Sequence, residues 1–442
     1  MKHPCRLVGT NKNENNAYDP LFVVRIFQVT NPTRRDVMDI IIERGAGIDV
    51  HKESLVACIM GTGIKKEIRT FSTMTNDLLQ LKMWLKEHGV THVAMESTGV
   101  YWKPIFNILE NAFEVILVNA RHVRNVPGRK TDVKDSEWLC KLLRNGLVRG
   151  SFIPPKEIRE LRDLTRYKRK LIQAIASEKQ RIQKILEDAN IKLSSVASNI
   201  FGASGTRIIE ELMKGDLTAE EMAELSKGRL RKRKDDLTEA LVGHMEEHHT
   251  FMITASLEHM KAIEEILSTL ERKIAEAIEL HYKEEYELLQ TIPPVKDSAS
   301  IIIAEMGVNM DLFPTEMNLS SWSGMSPGNN ESAGKKKPGT TTHGNKCLKS
   351  ILTELAWVAS RMKGTYLCSK YHSLVGRRGK KKTLVAVGHK ILIMCYHILK
   401  YKVPYKELGE NYLDTRKKDR IVKSHIKRLT SLGYVVTLSE AA

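Results

Sequence analysis

The sequence predicts an α/β domain followed by a long, predominantly α-helical region. Three observations carry that reading. Between residues 44 and 150, short β-branched runs alternate with segments of helical periodicity. From Pro154 to about residue 290, apolar residues recur every three or four positions. From about residue 288, helical segments flank one long polar loop.

In chain order, residues 1–43 match nothing that follows and are read as an extension, either a small appendage or the product of an early start codon. "GAGIDV", "SLVACIM" and "KKEIRTFS" read as three strands joined by short turns. "NDLLQLKMWLKEHG" is a helix, with Asn76 as the expected cap and Gly89 as the stop. Strand "THVAMES", helix "YWKPIFNILENA", strand "EVILVN" and a helix from about 132 to 145 complete the domain at 44–152. Such an order implies a mixed sheet covered by helices.

Residues 153–287 form the helical middle. Two long amphipathic stretches, "IRELRDLTRYKRKLIQAIASEKQRIQKILEDAN" and "FMITASLEHMKAIEEILSTLERKIAEAIELHYKEEYELLQ", flank the basic segment "KGRLRKRKDD". They predict an antiparallel hairpin or a coiled-coil dimerisation arm. Residues 288–405 form a mostly helical final domain, and 406–442 a basic, peripheral tail.

Composition narrows the function. Lys and Arg number 70 against 53 Asp and Glu, a net charge of +17, which favours a polyanionic partner, ordinarily nucleic acid. The six cysteines form no CxxC pair and no Cys/His ligand spacing, so neither a zinc site nor a disulfide framework is expected and a reducing cytosol fits. No apolar run approaches the roughly 18 residues that span a bilayer, and no export signal is visible.

Four acids are candidates for chemistry. Asp49 lies inside a strand of buried type, where a lone carboxylate is costly unless it is paired, metal-bound or capping. Glu96 ends a later strand, and Asp132 and Asp135 sit one turn apart at a helix start. Each has a plain alternative: Asp132 as N-cap with Asp135 in the first turn, Glu96 as a surface residue, Asp49 holding a turn. Together they suit one edge of a mixed sheet. Hard oxygen donors with no nearby His or Cys fit Mg²⁺ or Mn²⁺ better than zinc.

The blocks "GIDVHKE", "AMESTGVYWKP", "VNARHVRN" and "GRKTDVKDSEWLCKLL" resemble the N-terminal domain of the DEDD insertion-sequence transposases. "LSSWSGMSPGNNESAGKKKPGTTTHGNKCLKSILTELAW" extends the resemblance into their C-terminal domain, so it covers roughly residues 44–150 and 286–405. It implies a RuvC-like, RNase H-like first domain with the family's acids on Asp49, Glu96, Asp132 and Asp135, and its nucleophilic serine on Ser332. It further implies a recombinase that mobilises an insertion sequence through a serine–DNA phosphodiester. The implied partners are donor and target double-stranded DNA, a guide non-coding RNA, and further copies of the chain in a dimer or tetramer. The acids of one protomer are expected to face the serine of another, in a bacterial or archaeal cytoplasm close to the nucleoid.

A serine hydroxyl is a weak nucleophile unless something takes its proton, and His343 is the only base in the loop. Lys335, Lys336 and Lys337 are expected to offset phosphate charge, with Gly334, Gly339 and Gly344 allowing close backbone approach. "LLQTIPPVKDSASIIIAEM" has the outline of a helix-hairpin-helix, with Pro294 and Lys296 where relatives place glycines, so Lys296 is expected to supply charge. The runs Lys168–Lys170, Arg229–Lys234 and Arg377–Lys382 are expected along a nucleic-acid backbone, Arg377, Arg378, Lys380 and Lys381 chief among them. Aromatics at 6% leave little for base stacking. The rival readings are a RuvC-like, junction- or structure-specific metal nuclease that uses water, and a non-catalytic nucleic-acid-binding protein.

Overall fold

The computed structural model describes residues 41–437 except 97–98, 119–134, 149, 329–330, 333, 337–339 and 417. Residues 1–40 of the extension, Asp132, Lys337 and Gly339 lie outside the described residues. The chain divides into two compact units between Pro154 and Pro155.

The first unit is an α/β sandwich. Its strands are β1 (Arg44–Val50), β2 (Ser54–Gly61), β3 (Ile64–Ser72), β4 (His92–Glu96) and β5 (Glu114–Val118), in spatial order β3-β2-β1-β4-β5. β2 runs antiparallel to β1 and β3, whereas β4 runs parallel to β1 and β5. Helices α1 (Thr75–Glu87) and α2 (Trp102–Leu109) carry Leu81, Leu85, Ile105 and Leu109 into one core with Ala46, Ile48, Val50, Val93 and Met95. Alternation along a strand sends its other residues to the opposite face. There α3 (Asp135–Arg144) lays Leu139 and Leu143 against Ala94 and Val118.

Close approach of α3 depends on glycine in β1. A Cβ on Gly47 would stand 2.2 Å from the Ser136 carbonyl oxygen and 2.5 Å from the Cys140 nitrogen, both backbone atoms. The expected cap of α1 is corrected: Met74 holds the N-cap position without a side-chain bond. The Asp77 carboxylate instead accepts from the Ser72 amide at 3.0 Å, which fastens the first turn to the end of β3. Gly89, in the left-handed region at φ 62°, follows the helix end as expected.

The second unit opens with α4 (Lys156–Asp188), then α5 (Leu193–Val196), α6 (Ala203–Lys214), α7 (Ala219–Glu224), α8 (Lys234–Leu241) and α9 (Glu247–His281). At one end of the long pair, Ile182 and Leu186 meet Ile253 and Met260. At the other, Ile158 and Leu161 share a core with Ile274 and Ile278. The pair is therefore an antiparallel hairpin. The connection is more than a basic linker, because Ile208, Ile209, Leu212, Met222, Leu237 and Leu241 bury a small core of their own. Within the basic run, Arg233 pairs with Asp236 at 2.9 Å and Lys234 with Glu224.

After α9 come α10 (Lys283–Gln290), α11 (Ala299–Met306), α12 (Glu316–Trp322), the two-residue strands β6 (Glu331–Ser332) and β7 (Lys335–Lys336), α13 (Lys346–Ala359), α14 (Tyr366–Arg378), α15 (Lys380–Tyr401), α16 (Tyr412–Arg416) and α17 (Lys418–Ser431). One core joins Ile158, Leu161, Ile274 and Ile278 to Leu289, Ile302, Phe313, Leu352, Ile391 and Leu392. The chain on both sides of the 287/288 boundary thus shares a single interior. α15 corrects the reading of apolar runs, since by length and composition it could cross a membrane. Here it buries Val387, Ile391, Leu392, Cys395 and Tyr396, and the Tyr396 hydroxyl donates to the Phe313 carbonyl at 3.0 Å. Gly388, His389 and Lys390 break the run and hide that helix from a count of consecutive apolar residues.

Gly47→Ala is expected to cost about 1–3 kcal/mol by overpacking β1 against α3. Hydrogen exchange at the β1 amides would report it, and unchanged protection would contradict the close helix–strand packing.

Candidate active site and nucleic-acid surface

The first site is built on sheet register. Gly45 pairs with His92 and Gly47 with Ala94 across the parallel β1–β4 ladder, and Ile48 pairs with Met95. Asp49 and Glu96 are each the next residue after that last pair, at the C-terminal ends of the two strands. Residues two apart on a strand share a face, so Asp49 lies on the side of Gly45 and Gly47, and Glu96 on the side of Ala94. This is the face covered by α3. α3 runs from Asp135 near that strand end back to Leu143 and Arg144 over Gly45. Asp49, Glu96 and Asp135 therefore belong to one face at one end of the sheet, and Asp132 lies outside the described residues.

Asp49 keeps 21% of its side chain exposed, and His51 Nε2 lies 3.3 Å from its Oδ2. That histidine corrects the reading that none stands near. Glu96 is half-buried and Asp135 exposed. Among the described residues no group of three or more His, Cys, Asp or Glu is gathered closely enough to hold a metal ion. The chemistry of the donor set still fits a hard cation: two carboxylates at the ends of neighbouring strands, and a third at the start of the helix on the same face.

The second site is the polar loop of residues 326–345, which is a rooted ribbon. Gly328 donates its amide to the Thr340 carbonyl at 2.8 Å, and the Thr342 amide to Ser326 at 3.1 Å. Further out, Ser332 stands across from Lys335 and Glu331 from Lys336 in an antiparallel pair, with Gly334 turning the chain at φ 73°. The two roots cross at Gly324 and Gly344, where a Cβ on Gly344 would come within 2.3 Å of the Gly324 nitrogen. Glycine at 344 is thus required by packing between backbones.

What holds the root is an ion pair on a buried carboxylate that local sequence does not announce. Glu305, on α11, is 0% exposed. Its carboxylate accepts both Arg166 guanidinium bonds from α4 at 2.7 Å, and the Asn345 Nδ2 bond at 2.7 Å. Arg162 donates to the Ala304 and Glu305 carbonyls, each at 2.9 Å. Asn345 in turn caps α13, its Oδ1 accepting from the Cys347 and Leu348 amides at 3.1 Å. A cleft of about 460 Å³ opens here, lined by Arg166, Trp322 and residues 344–347. Burial pushes the Glu305 carboxyl up, but the bonds from Arg166 and Asn345 and the Arg166 and Arg162 charges outweigh it and hold the group below the usual carboxylate range. A glutamate inside the apolar run "SIIIAEMG" is the available signal, the same one that singles out Asp49.

The basic residues sort themselves by partner. Lys168 pairs with Glu271 at 2.8 Å, and Arg169 with Glu354 and Ser350, so these two are occupied within the fold, while Lys170 is exposed. Arg377, Arg378, Lys380 and Lys381 are exposed around Gly379, and among the described residues none of them is in an ion pair. His343 is exposed. Lys296 is exposed and takes φ 35°, so the turn after α10 keeps a backbone conformation of the kind glycine favours without a glycine.

Comparison with known families gives two matches. Residues 46–191 match the DEDD domain of IS110-type elements, described as a transposase, and residues 286–372 match a family described as transposase IS116/IS110/IS902. No curated protein matches the chain.

Glu305→Ala is expected to destabilise the second unit by about 1–3 kcal/mol, because it removes the acceptor of the Arg166 and Asn345 bonds. Arg166→Met/Glu305→Leu is expected to recover much of this in urea unfolding. The Glu305 carboxyl is depressed in the fold, so its contribution is present above the ordinary glutamate pKa of about 4.3 and is lost as pH falls below it. A Glu305→Leu background that retains the same acid sensitivity would contradict that assignment.

Proposed function

Because the chain belongs to the IS116/IS110/IS902 family of transposases, with both matched regions present in order, we propose that it moves DNA through a serine-linked intermediate assisted by a metal-binding acid face. The observation that carries the proposal is that Asp49 and Glu96 each follow the last recorded pair of the β1–β4 register, Ile48 with Met95, on the face covered by the helix beginning at Asp135. The strand order, with an antiparallel hairpin on one side of β1 and parallel strands on the other, supports an RNase H-like reading of this unit.

In this proposal Asp49, Glu96 and Asp135, with Asp132, hold Mg²⁺ or Mn²⁺. The ion's chemistry when bound is to offset phosphate charge and favour an ionised oxygen. Ser332 Oγ attacks phosphorus, an Oγ–P bond forms, and one phosphodiester P–O bond breaks. The serine proton leaves to a base, for which His343 is a candidate, and the departing DNA oxygen takes one up. The number of phosphoester bonds is conserved, so rejoining needs no external energy source. Lys335, Lys336 and Lys337 answer the charge of the attacked phosphate, while Lys296 and the Arg377–Lys381 cluster contact backbone phosphates.

A homo-oligomer, dimer or tetramer, is part of the proposal. Exposed Tyr167, Ile172, Phe251, Ile266 and Leu280 on the long helices offer apolar surface for it. A guide RNA selects the DNA sites, in keeping with few aromatic side chains for reading bases. Action at the nucleoid of a prokaryotic cytoplasm completes the proposal.

Ser332→Ala is expected to abolish the covalent protein–DNA adduct seen after denaturing electrophoresis. A water-using nuclease would keep cutting in that variant, and its products would overturn the serine role. Asp49→Asn is expected to slow strand cleavage by about 10²–10³-fold with duplex binding retained. Cleavage at the parent rate in Asp49→Ala/Asp135→Ala would overturn the metal-binding role of the acid face. Recombination of matched DNA by RNA-free protein would remove the guide.

A further inference from the structure

The family match ends at residue 372, and a strongly basic segment of the chain lies beyond it. Residues 416–428, "RKKDRIVKSHIKR", hold seven Lys or Arg against a single Asp. α16 is attached to the core of the second unit: Leu413 is buried, and Tyr412 meets Tyr366 edge-on at 5.6 Å between ring centres. α17 follows it and remains outside. Among its described side chains only Val422 and Ile426 are half-buried, and all others are exposed.

The helix is two-sided. At 100° per residue, Val422, Ile426 and Leu429 fall within one stripe. Arg420, Lys423 and Lys427, at spacings of three and four, form a second stripe centred about 130° further round the helix. The half-burial of Val422 and Ile426 leaves the cationic stripe toward solvent. Among the described residues, none of these three cations takes part in an ion pair or hydrogen bond. Lys168, Arg169 and Lys234 have carboxylate partners within the fold, so a basic run in this chain is not unpartnered by default. Seven residues of helix rise about 10 Å, a length that matches a short stretch of phosphate backbone.

We propose that α17 is a DNA-binding arm whose Arg420, Lys423 and Lys427 contact the phosphate backbone of duplex DNA. The arm would add sequence-independent affinity from outside the family-matched regions. It rests on the reading of the chain as a DNA transposase but not on Ser332, so the test uses the full chain carrying Ser332→Ala, in which binding is measured without chemistry.

The probe is a labelled DNA duplex of unrelated sequence, titrated across about 50 to 200 mM KCl, where each released phosphate contact contributes about 0.9 to the slope of log K against log salt. Arg420→Ala/Lys423→Ala/Lys427→Ala is expected to lower that slope by about 2.7, and Lys423→Ala alone by about 0.9. The charge-keeping Arg420→Lys and the apolar-stripe Val422→Ala/Ile426→Ala variants are expected to retain the parent slope. Far-UV circular dichroism accompanies each, and Lys423→Ala carries the test if the triple variant fails to fold. A parent-like slope in the folded triple or single variant would overturn the proposal. So would loss of binding to duplex RNA alone, with DNA binding unchanged, which would assign the arm to RNA.

Discussion

A carboxylate that cannot stay buried alone organises the second unit. Glu305 has no exposure to solvent, so its charge persists only because Arg166 and Asn345 meet it directly and Arg162 holds the neighbouring carbonyls. Those partners come from the first long helix and from Asn345 at the end of the serine loop, while Glu305 itself lies on α11. One group therefore ties the hairpin of long helices to the base of the ribbon that bears Ser332. Removing it would leave Arg166 unpaired and α13 without the group that orients its cap.

The ribbon gains order from close backbone contact. Gly324 and Gly344 let two backbones cross closer than any side chain permits, and the Ser326–Gly328 and Thr340–Thr342 strands then pair above the crossing. A polar, glycine-rich stretch is thereby given a direction. The first unit solves a parallel problem with Gly47, whose missing Cβ admits the backbone of α3 beside the strand that ends in Asp49. In both units glycine sets a distance between elements, and a polar residue nearby depends on that distance.

Much of this is legible in the sequence. The strands of the first unit are short, β-branched and bounded by turn residues, so their limits agree closely with the runs "GAGIDV", "SLVACIM" and "EVILVN". Asp49 stands out as a carboxylate among apolar neighbours. Glu305 carries the same signal, but its role does not follow from it, because its partners lie 139 residues before it and 40 after. The helices between 203 and 241 are obscured by the basic segment beside them. Asn76 has the side chain of a cap, yet Asp77 reaches back to Ser72 from the next position, which one-dimensional spacing does not distinguish.

What the sequence determined by itself is periodicity and composition: the α/β and helical regions, the basic surplus, and the residue types able to carry phosphate chemistry. Those follow from local propensity and from the alternation of apolar positions. Tertiary structure decided which strand neighbours which, that Asp49 and Glu96 come to the same end of neighbouring strands, that Lys168 and Arg169 are taken up by internal partners, and that a buried glutamate anchors the loop of Ser332. The physical reason is range: register and burial are properties of contacts between distant segments, and no local pattern records the partner.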